Sequence, residues 1–317
     1  MRNWFNRKNI ISLLGIVLLY AVVQGLIVFD IMPPFYKLTL ILICIYIILS
    51  TSLNLINGIT GQFSIGHAGF MAIGAYVSAI VTAIMHGPLL LGLLTGAVVS
   101  AVAGLLVGLP TLRLKGDYLA IATLGFGEIV RIVFLNMEFV GGAAGYTLSS
   151  KITWTWAFGL MVISVILIKN FVSSTHGRAC ISIRENEIAA ESMGINTTKY
   201  KVMAFTIGAF FAGLAGGIYA NYMYIIQPGT FSFLKSFDIL VMVVLGGLGS
   251  ISGGIVGAIV YTLISALLAG IPEWRLVITA VFLVVMMIFR PTGIMGTKEF
   301  SLSFLRKKGD KNAASKN

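Results

Sequence analysis

The chain has 317 residues, of which 58% are hydrophobic and 10% are charged. A soluble domain carries about 25% charged residues, because charge keeps its surface in water. This composition excludes a cytosolic enzyme and a disordered chain, and two cysteines are too few for a secreted disulfide scaffold. Since apolar runs of about 20 residues fill most of the sequence, we predict an all-α polytopic membrane protein.

The apolar segments predict about ten transmembrane helices. The first, from Ile10 to Phe29, has a longer apolar core than a cleaved signal peptide, so we predict an uncleaved span. The others are predicted at 38–56, 67–85, 89–109, 119–136, 154–171, 200–220, 237–248, 253–271 and 275–290. The glycine-rich region 237–271 leaves two possibilities open: two helices joined by a tight turn, or one broken helix.

The distribution of charge predicts the orientation in the membrane. The net charge is +11, and ten spans with the N-terminus inside place most of the 22 Lys and Arg side chains on one side. Positively charged loops stay in the cytoplasm, so we interpret the charge as a topology signal and not as a sign of a nucleic-acid partner. We predict a multi-pass protein of the cell membrane, plasma or inner, with both termini cytoplasmic.

The same pattern divides the chain into three parts. Residues 1–9 form a basic cytoplasmic N-terminus, 10–295 the transmembrane domain, and 296–317 a lysine-rich cytoplasmic tail. The tail has few apolar residues and is predicted to be disordered and solvated. Its charge is best explained as a topology signal, and contact with anionic membrane lipid is the alternative.

A glycine-rich stretch, Gly61 to Gly74, carries Gln62, Ser64 and His67 beside a predicted span end. Glycines allow helices to approach closely, and non-helical backbone at membrane depth is tolerated only when it is buried in protein or lines a water-filled cavity. Two interpretations stay open: helix packing with a turn, or the lining of a translocation path. The three histidines are widely separated, so we predict no metal site.

Two charged residues, Glu128 and Arg131, lie three positions apart within a predicted span. Charged groups are costly in hydrocarbon, and at this spacing the two side chains share a helix face. We favour a mutual ion pair that fixes this helix against a neighbour. The alternative is a polar element at a pathway or at a contact with a second membrane subunit.

One large polar loop, residues 173–199, interrupts the apolar pattern. Ser182 and Glu185 match a capping box, and Gly194 fits the position after a helix C-terminus, which predicts a short helix over 183–193. It is either a connector at the membrane interface or a docking element for a soluble partner. Its acidic character argues against the connector, because interfacial helices favour Lys and Arg.

The sequence lacks the motifs of a catalytic or nucleotide-binding protein. It contains no Gly-x-x-x-x-Gly-Lys-Ser/Thr phosphate loop and no arrangement of a nucleophile with a base. We therefore predict no enzyme activity and no bound cofactor, and any ATP must be bound by another subunit.

Six motifs in this chain resemble, in order and spacing over about residues 40–295, the branched-chain amino acid permeases of ATP-binding-cassette importers. They lie at Asn54–Gly58, Gly61–Phe70, Leu112–Arg131, Gly177–Ile195, Gly246–Ser250 and Arg290–Gly293. Most specific is the polar loop, with Gly177-Arg178-Ala179, Ile183-Arg184-Glu185-Asn186-Glu187 and Met193-Gly194-Ile195.

This resemblance implies a function and a set of partners. The polar loop would sit in a groove of a cytosolic ATPase and transmit its closure to the spans, giving alternating access. The loop residues that would carry this coupling are Gly177, Arg178, Arg184, Glu185, Asn186, Glu187, Ala190 and Gly194. The implied partners are a second homologous permease, two cytosolic ATP-binding subunits and an extracytoplasmic substrate-binding protein, which would dock on the outer loops at 137–153 and 221–235.

Two alternative functions stay open from the sequence. A urea or short-amide importer permease of the same class would look similar throughout. A stand-alone secondary transporter or channel would need an intramembrane acidic residue, for which Glu128 is the candidate.

Overall fold

The structure, a computed structural model, describes residues 7–111, 116–290 and 292–296. In chain order its α-helices are α1 (Arg7–Val28), α2 (Pro34–Asn54), α3 (His67–Ala79), α4 (Leu89–Thr111), α5 (Asp117–Asn136), α6 (Trp154–Ser173), α7 (Thr175–Glu185), α8 (Glu187–Ser192), α9 (Thr197–Tyr222), α10 (Phe233–Gly246), α11 (Ile251–Leu267) and α12 (Pro272–Phe289). Two short strands, β1 (Tyr146–Thr147) and β2 (Ile225–Ile226), pair antiparallel. The predicted disordered tail and the motif part at 112–115 lie outside the described residues.

Each of the ten predicted apolar segments contains helix, and seven helices of the described part are long and apolar enough to cross a membrane. These are Pro34–Ile59, His67–Ile84, Leu89–Thr111, Asp117–Asn136, Trp154–Ser173, Thr197–Tyr222 and Ile251–Gly270. Leu14–Val28 and Val277–Met286 are shorter apolar helices. Helix α10 has 14 residues, or about 21 Å at 1.5 Å per residue, against about 30 Å of hydrocarbon. The all-α polytopic class is confirmed, with seven helices and not ten meeting this standard.

Helices α2, α3 and α9 form the centre of the bundle, and α4 packs closely against α3 and α9. Small residues make this contact possible: a Cβ at Gly74 would collide with the backbone of Gly213, and one at Gly96 would lie 2.6 Å from the carbonyl oxygen of Gly74. The hydroxyl of Ser100 donates to the carbonyls of Phe70 and Ala209, at 3.1 and 2.7 Å. Close backbone approach and interhelical hydrogen bonds therefore hold the centre together.

Between α2 and α3 the chain leaves the helical conformation. A π-helical turn, Leu55–Ile59, extends α2, and residues 61–66, here called the unwound segment, have no regular structure. Side chains satisfy part of its backbone: Asn57 exchanges two hydrogen bonds with the backbone of Ser64, and the hydroxyl of Thr123 accepts from the amide of Ile65. The sequence left two interpretations of this stretch open, helix packing with a turn or the lining of a translocation path, and this geometry is compatible with both.

The glycine-rich region 237–271 forms two helices, α10 and α11, joined by a tight turn at 247–250. Gly247 and Gly249 have φ values of 119° and 88°, which residues other than glycine rarely adopt. Asn54 of α2 fixes this turn, because its side chain donates to the carbonyl of Ser250 at 2.7 Å and accepts from the amide of Gly249 at 2.9 Å. Of the two possibilities, two helices with a turn is the one observed.

Candidate functional site

The polar loop contains two short helices, α7 and α8, where the sequence predicted one over 183–193. Asn186 separates them in an extended conformation (φ −160°, ψ 107°), and its side-chain oxygen accepts from the amide of Ala189 at 3.0 Å. Ser182 lies inside α7, and its hydroxyl donates to a carbonyl one turn earlier. The predicted capping box at Ser182 is wrong, because Asn186, four residues further on, caps a second helix instead.

The C-terminal end of α8 is as predicted. Gly194 has φ 84°, and its amide donates to the carbonyl of Glu191 at 2.9 Å. The amide of Ile195 donates to the carbonyl of Ala190 at 3.1 Å. These two bonds form a Schellman motif, which satisfies carbonyl groups at the helix end. A Cβ at Gly194 would meet no neighbouring atom, so the glycine serves the backbone conformation and not close packing.

Helix α7 packs against the transmembrane helices through its buried side. Gly177 lies in its first turn, where a Cβ would collide with the carbonyl of Val172, and its amide donates to the Ser174 hydroxyl at 3.3 Å. Cys180 is fully buried, and this burial raises the pKa of its thiol. Arg178 is exposed on the opposite side.

Arg184, at the end of α7, reaches the C-terminal end of α2. Its Nη1 donates to the carbonyl of Gly58 in the π-helical turn at 2.9 Å. Its Nε and Nη2 both donate to the carboxylate of the neighbouring Glu185. This side chain, expected to contact an ATPase, is thus engaged within the chain.

Helix α8 is attached to α9 by one buried and one charged contact. Glu187 pairs with Lys201 of α9, with 2.6 Å between Oε1 and Nζ. Ala190, one turn later, is buried. Two large apolar side chains are strongly exposed next to these contacts: Ile188 is 75% exposed and Met193 is 83% exposed. Arg184, Glu187 and Ala190 therefore anchor the loop, and an exposed apolar surface lies on its outer side.

The unwound segment carries buried polar atoms for which the described residues offer no hydrogen-bond partner. Gln62 and Ser64 are buried, whereas Phe63 between them is 45% exposed, as expected for extended backbone with alternating side chains. The amide nitrogen and oxygen of Gln62 and the hydroxyl of Ser64 are all without a partner. Since buried polar groups are nearly always hydrogen-bonded, these atoms are candidates to bind water or a polar ligand.

His67 begins α3 at the end of this segment and is fully buried. Its Nε2 lies 2.8 Å from the hydroxyl of Ser52, which itself donates to the carbonyl of Leu49. When the single hydroxyl hydrogen of Ser52 goes to Leu49, Nε2 of His67 carries the ring hydrogen; Nδ1 has no partner among the described residues. Three or more possible metal ligands do not come together anywhere in the described part of the chain.

Glu128 and Arg131 form the ion pair favoured from the sequence, with 2.7 Å between Oε2 and Nε. Their side chains are 24% and 27% exposed. The second carboxylate oxygen of Glu128 accepts from the amide of Phe233, the first residue of α10, at 2.9 Å. The pair therefore also joins α5 to the N-terminus of α10, where a negative charge is favourable.

Lys235 was assigned to an outer loop from the sequence, but it lies in the first turn of α10 and points towards α2. Its Nζ donates to the hydroxyl of Tyr46 at 2.6 Å and lies 4.5 Å from the centre of that ring. Only its spacing from Asp238, three residues later, hints at a helical position in the sequence.

The two loops at 137–153 and 221–235 are joined at the other end of the bundle. Strands β1 and β2 pair Tyr146 with Ile226, and the amide of Leu148 donates to the carbonyl of Tyr224 at 2.8 Å. Tyr224 and Ile225 are exposed on this surface. The two loops thus form one platform, here called the β platform.

Comparison with known proteins identifies the closely related sequences. A family described as the permease component of the branched-chain amino acid transport system matches residues 36–290. The high-affinity branched-chain amino acid transport system permease protein LivM of Salmonella typhimurium is 37% identical, over 79% of this chain and 68% of that protein. LivM of Escherichia coli K12 is 36% identical over the same shares.

A more distant relative is the permease protein LivH of the same Escherichia coli transport system. It is 26% identical over 80% of this chain and 92% of its own length. No solved structure matches this chain.

Proposed function

Because the chain belongs to the permease family of branched-chain amino acid transport systems, and is a permease subunit of an ATP-binding-cassette importer, we propose that it carries branched-chain amino acids across the cell membrane. Transport would occur by alternating access. Two cytosolic ATP-binding subunits supply the ATP hydrolysis, and this chain binds no cofactor of its own. The substrate follows the names of the relatives, and the mechanism follows the family resemblance.

The proposed topology has ten membrane crossings and cytoplasmic termini. Three observations support it: the ten predicted segments all contain helix, α10 and α11 are separate helices, and an even number of crossings keeps the basic tail on the side of the polar loop. The domain division, with a transmembrane domain at 10–295 between a basic N-terminus and tail, is proposed on the same grounds.

The observation that carries the function is the construction of α8. A polar loop normally exposes polar side chains, yet here two large apolar side chains are strongly exposed: Ile188 in the six-residue helix α8 and Met193 directly after it. Both ends of that helix are capped, so it is rigid without being part of the core. We propose that this apolar surface, with Glu191 beside it, enters the groove of an ATP-binding subunit.

A second permease would cover the surface formed by α5, α10 and the unwound segment. A charged pair that is one quarter exposed cannot face hydrocarbon without a large cost, and non-helical backbone is not tolerated against lipid. Two aromatic side chains are partly exposed at this surface. They are Phe63 of the unwound segment and Phe237 of α10, a helix that contacts both α3 and α5. This surface therefore needs to face protein or a water-filled path and not lipid. An interface between two permeases would supply protein on one part of it and a path on another.

The substrate-binding protein would dock on the β platform at the outer end. Tyr224 and Ile225 give this platform an exposed apolar centre, and the pairing of β1 with β2 fixes its shape. Aromatic residues on a rigid surface are typical anchors of protein interfaces.

Two paired variants test these assignments by purification of the tagged complex from native membranes. Ile188→Asp with Met193→Asp should abolish recovery of the ATP-binding subunits, because two carboxylates enter an apolar contact. The matched control, Tyr224→Asp with Ile225→Asp, should retain those subunits and lose stimulation of ATP hydrolysis by the binding protein. If the unsubstituted protein is recovered from native membranes without any ATP-binding subunit, the importer assignment is contradicted.

A further inference from the structure

Arg184 connects three parts of the chain that are far apart in the sequence: its own helix α7, residues 58–61 and the α10–α11 turn. Its guanidinium donates to the carbonyl of Gly58 at 2.9 Å, at the C-terminal end of α2. Gly61, at the start of the unwound segment, packs on its aliphatic part, and Gly249, in the α10–α11 turn, packs on its guanidinium. We call Arg184 and these three glycines the Arg184 latch.

The glycines leave just enough space for this side chain. A Cβ at Gly61 would lie 2.9 Å from Cγ of Arg184, and a Cβ at Gly249 would lie 2.5 Å from its Nη1. Both glycines also have positive φ, at 74° and 88°. A Cβ at Gly58 would collide with the amide of Gly249. Any larger residue would therefore displace the arginine or separate the segments around it.

The latch connects the polar loop to two non-helical parts of the bundle, the α10–α11 turn and the unwound segment. Asn54 ties the α10–α11 turn to α2, so movement of Arg184 acts on both. Beyond Gly61 lie Gln62 and Ser64, whose buried polar atoms have no partner among the described residues. A segment with unsatisfied polar groups and no helical hydrogen bonds is the part of this bundle that rearranges at least cost.

We propose that Arg184 is a positioning residue that transmits movement of the polar loop to the unwound segment and the α10–α11 turn. The proposal rests on the proposed function, in that an ATP-binding subunit moves α8. Glu187 and Lys201 transmit the same movement to α9 through their own contact. The guanidinium is suited to this task because its planar group holds Gly58 while its other nitrogens bind Glu185.

The test compares leucine uptake with ATP hydrolysis by the purified complex in proteoliposomes. In Arg184→Gln the ATP-binding subunits should stay bound and hydrolyse ATP, whereas uptake per ATP should fall about tenfold, the loss expected for one hydrogen bond to a charged group. Arg184→Lys should recover part of the uptake, because an ammonium can still donate to Gly58. Gly249→Ala should lower uptake per ATP with the arginine still present.

Lys169→Gln is the matched control, since it removes an exposed positive charge at the end of α6, close to the loop and outside the latch. Its uptake per ATP should equal that of the unmodified complex. An unchanged ratio in both Arg184→Gln and Gly249→Ala would overturn the latch and leave the proposed function intact. Equal loss of uptake and hydrolysis in these variants would show a merely structural role and also overturn it. Unmodified protein that recovers no ATP-binding subunit would instead overturn the proposed function, and the latch with it.

Discussion

The α7–α8 loop and the unwound segment are both polar interruptions of an apolar chain, but they are built in opposite ways. In the loop, Ser174, Asn186 and Gly194 satisfy the helix ends. In the unwound segment, Gln62 and Ser64 keep buried polar atoms without partners among the described residues. The first construction gives a rigid element that can transmit force. The second gives an element that can rearrange, so in the proposed mechanism the two are complementary parts of one coupling device.

The largest expected effect comes from removing Asn57, which makes two hydrogen bonds to the backbone of the unwound segment. Asn57→Ala deletes both hydrogen bonds to the backbone of Ser64, whose amide and carbonyl then stay buried and unpaired. We expect a loss of about 2–6 kcal/mol in the free energy of unfolding, at ~1–3 kcal/mol for each of the two groups. Thermal unfolding of the purified protein in detergent measures it. A change under about 0.5 kcal/mol would show that water replaces Asn57 without loss.

A smaller effect is expected from the cap between the two loop helices. Asn186→Ala removes the hydrogen bond to the amide of Ala189, which typically costs about 1 kcal/mol of helix stability. Hydrogen exchange of the α8 amides should become faster while α9 stays protected. Ser192→Ala, at an exposed position of the same helix, is the control and should change exchange little. Equal exchange in both variants would mean that the cap does not hold α8 in place.

The smallest effect on stability, together with a large effect on transport, is expected at Gln62. Gln62→Leu replaces a side-chain amide that has no partner among residues 7–111, 116–290 and 292–296 by an apolar group of similar size, so the unfolding temperature should stay the same or rise slightly. Uptake of leucine should nevertheless fall, because water or substrate loses its hydrogen-bond partners. Destabilisation as large as that of Asn57→Ala would indicate that Gln62 is bonded within the protein, contrary to the comparison above.

Local signals in the sequence predicted local structure well. The apolar runs predicted every long helix, the spacing of Glu128 and Arg131 predicted their ion pair, and Gly194 predicted the end of α8. Each of these depends on residues within a few positions of one another. The single predicted helix in the loop was wrong because Ser182 and Asn186 are both capping residues, and their tertiary surroundings decide which of them caps.

Contacts between distant segments could not be predicted in this way. Arg184 meets Gly58 and Gly249 because α2, α7 and the α10–α11 turn pack together, and no local pattern records that packing. The same holds for Lys235, whose partner Tyr46 lies on α2. Sequence reasoning therefore found the loop but not which of its side chains face inward.

Hydrogen exchange of the complete complex, with and without ATP, most directly tests whether a rigid α7–α8 loop rearranges the unwound segment. We predict that ATP changes the exchange of the amides at 61–66, whereas α7 and α8 stay protected in both conditions and move as rigid elements. The opposite pattern, with loss of protection in α7 and α8 and no change at 61–66, would contradict it.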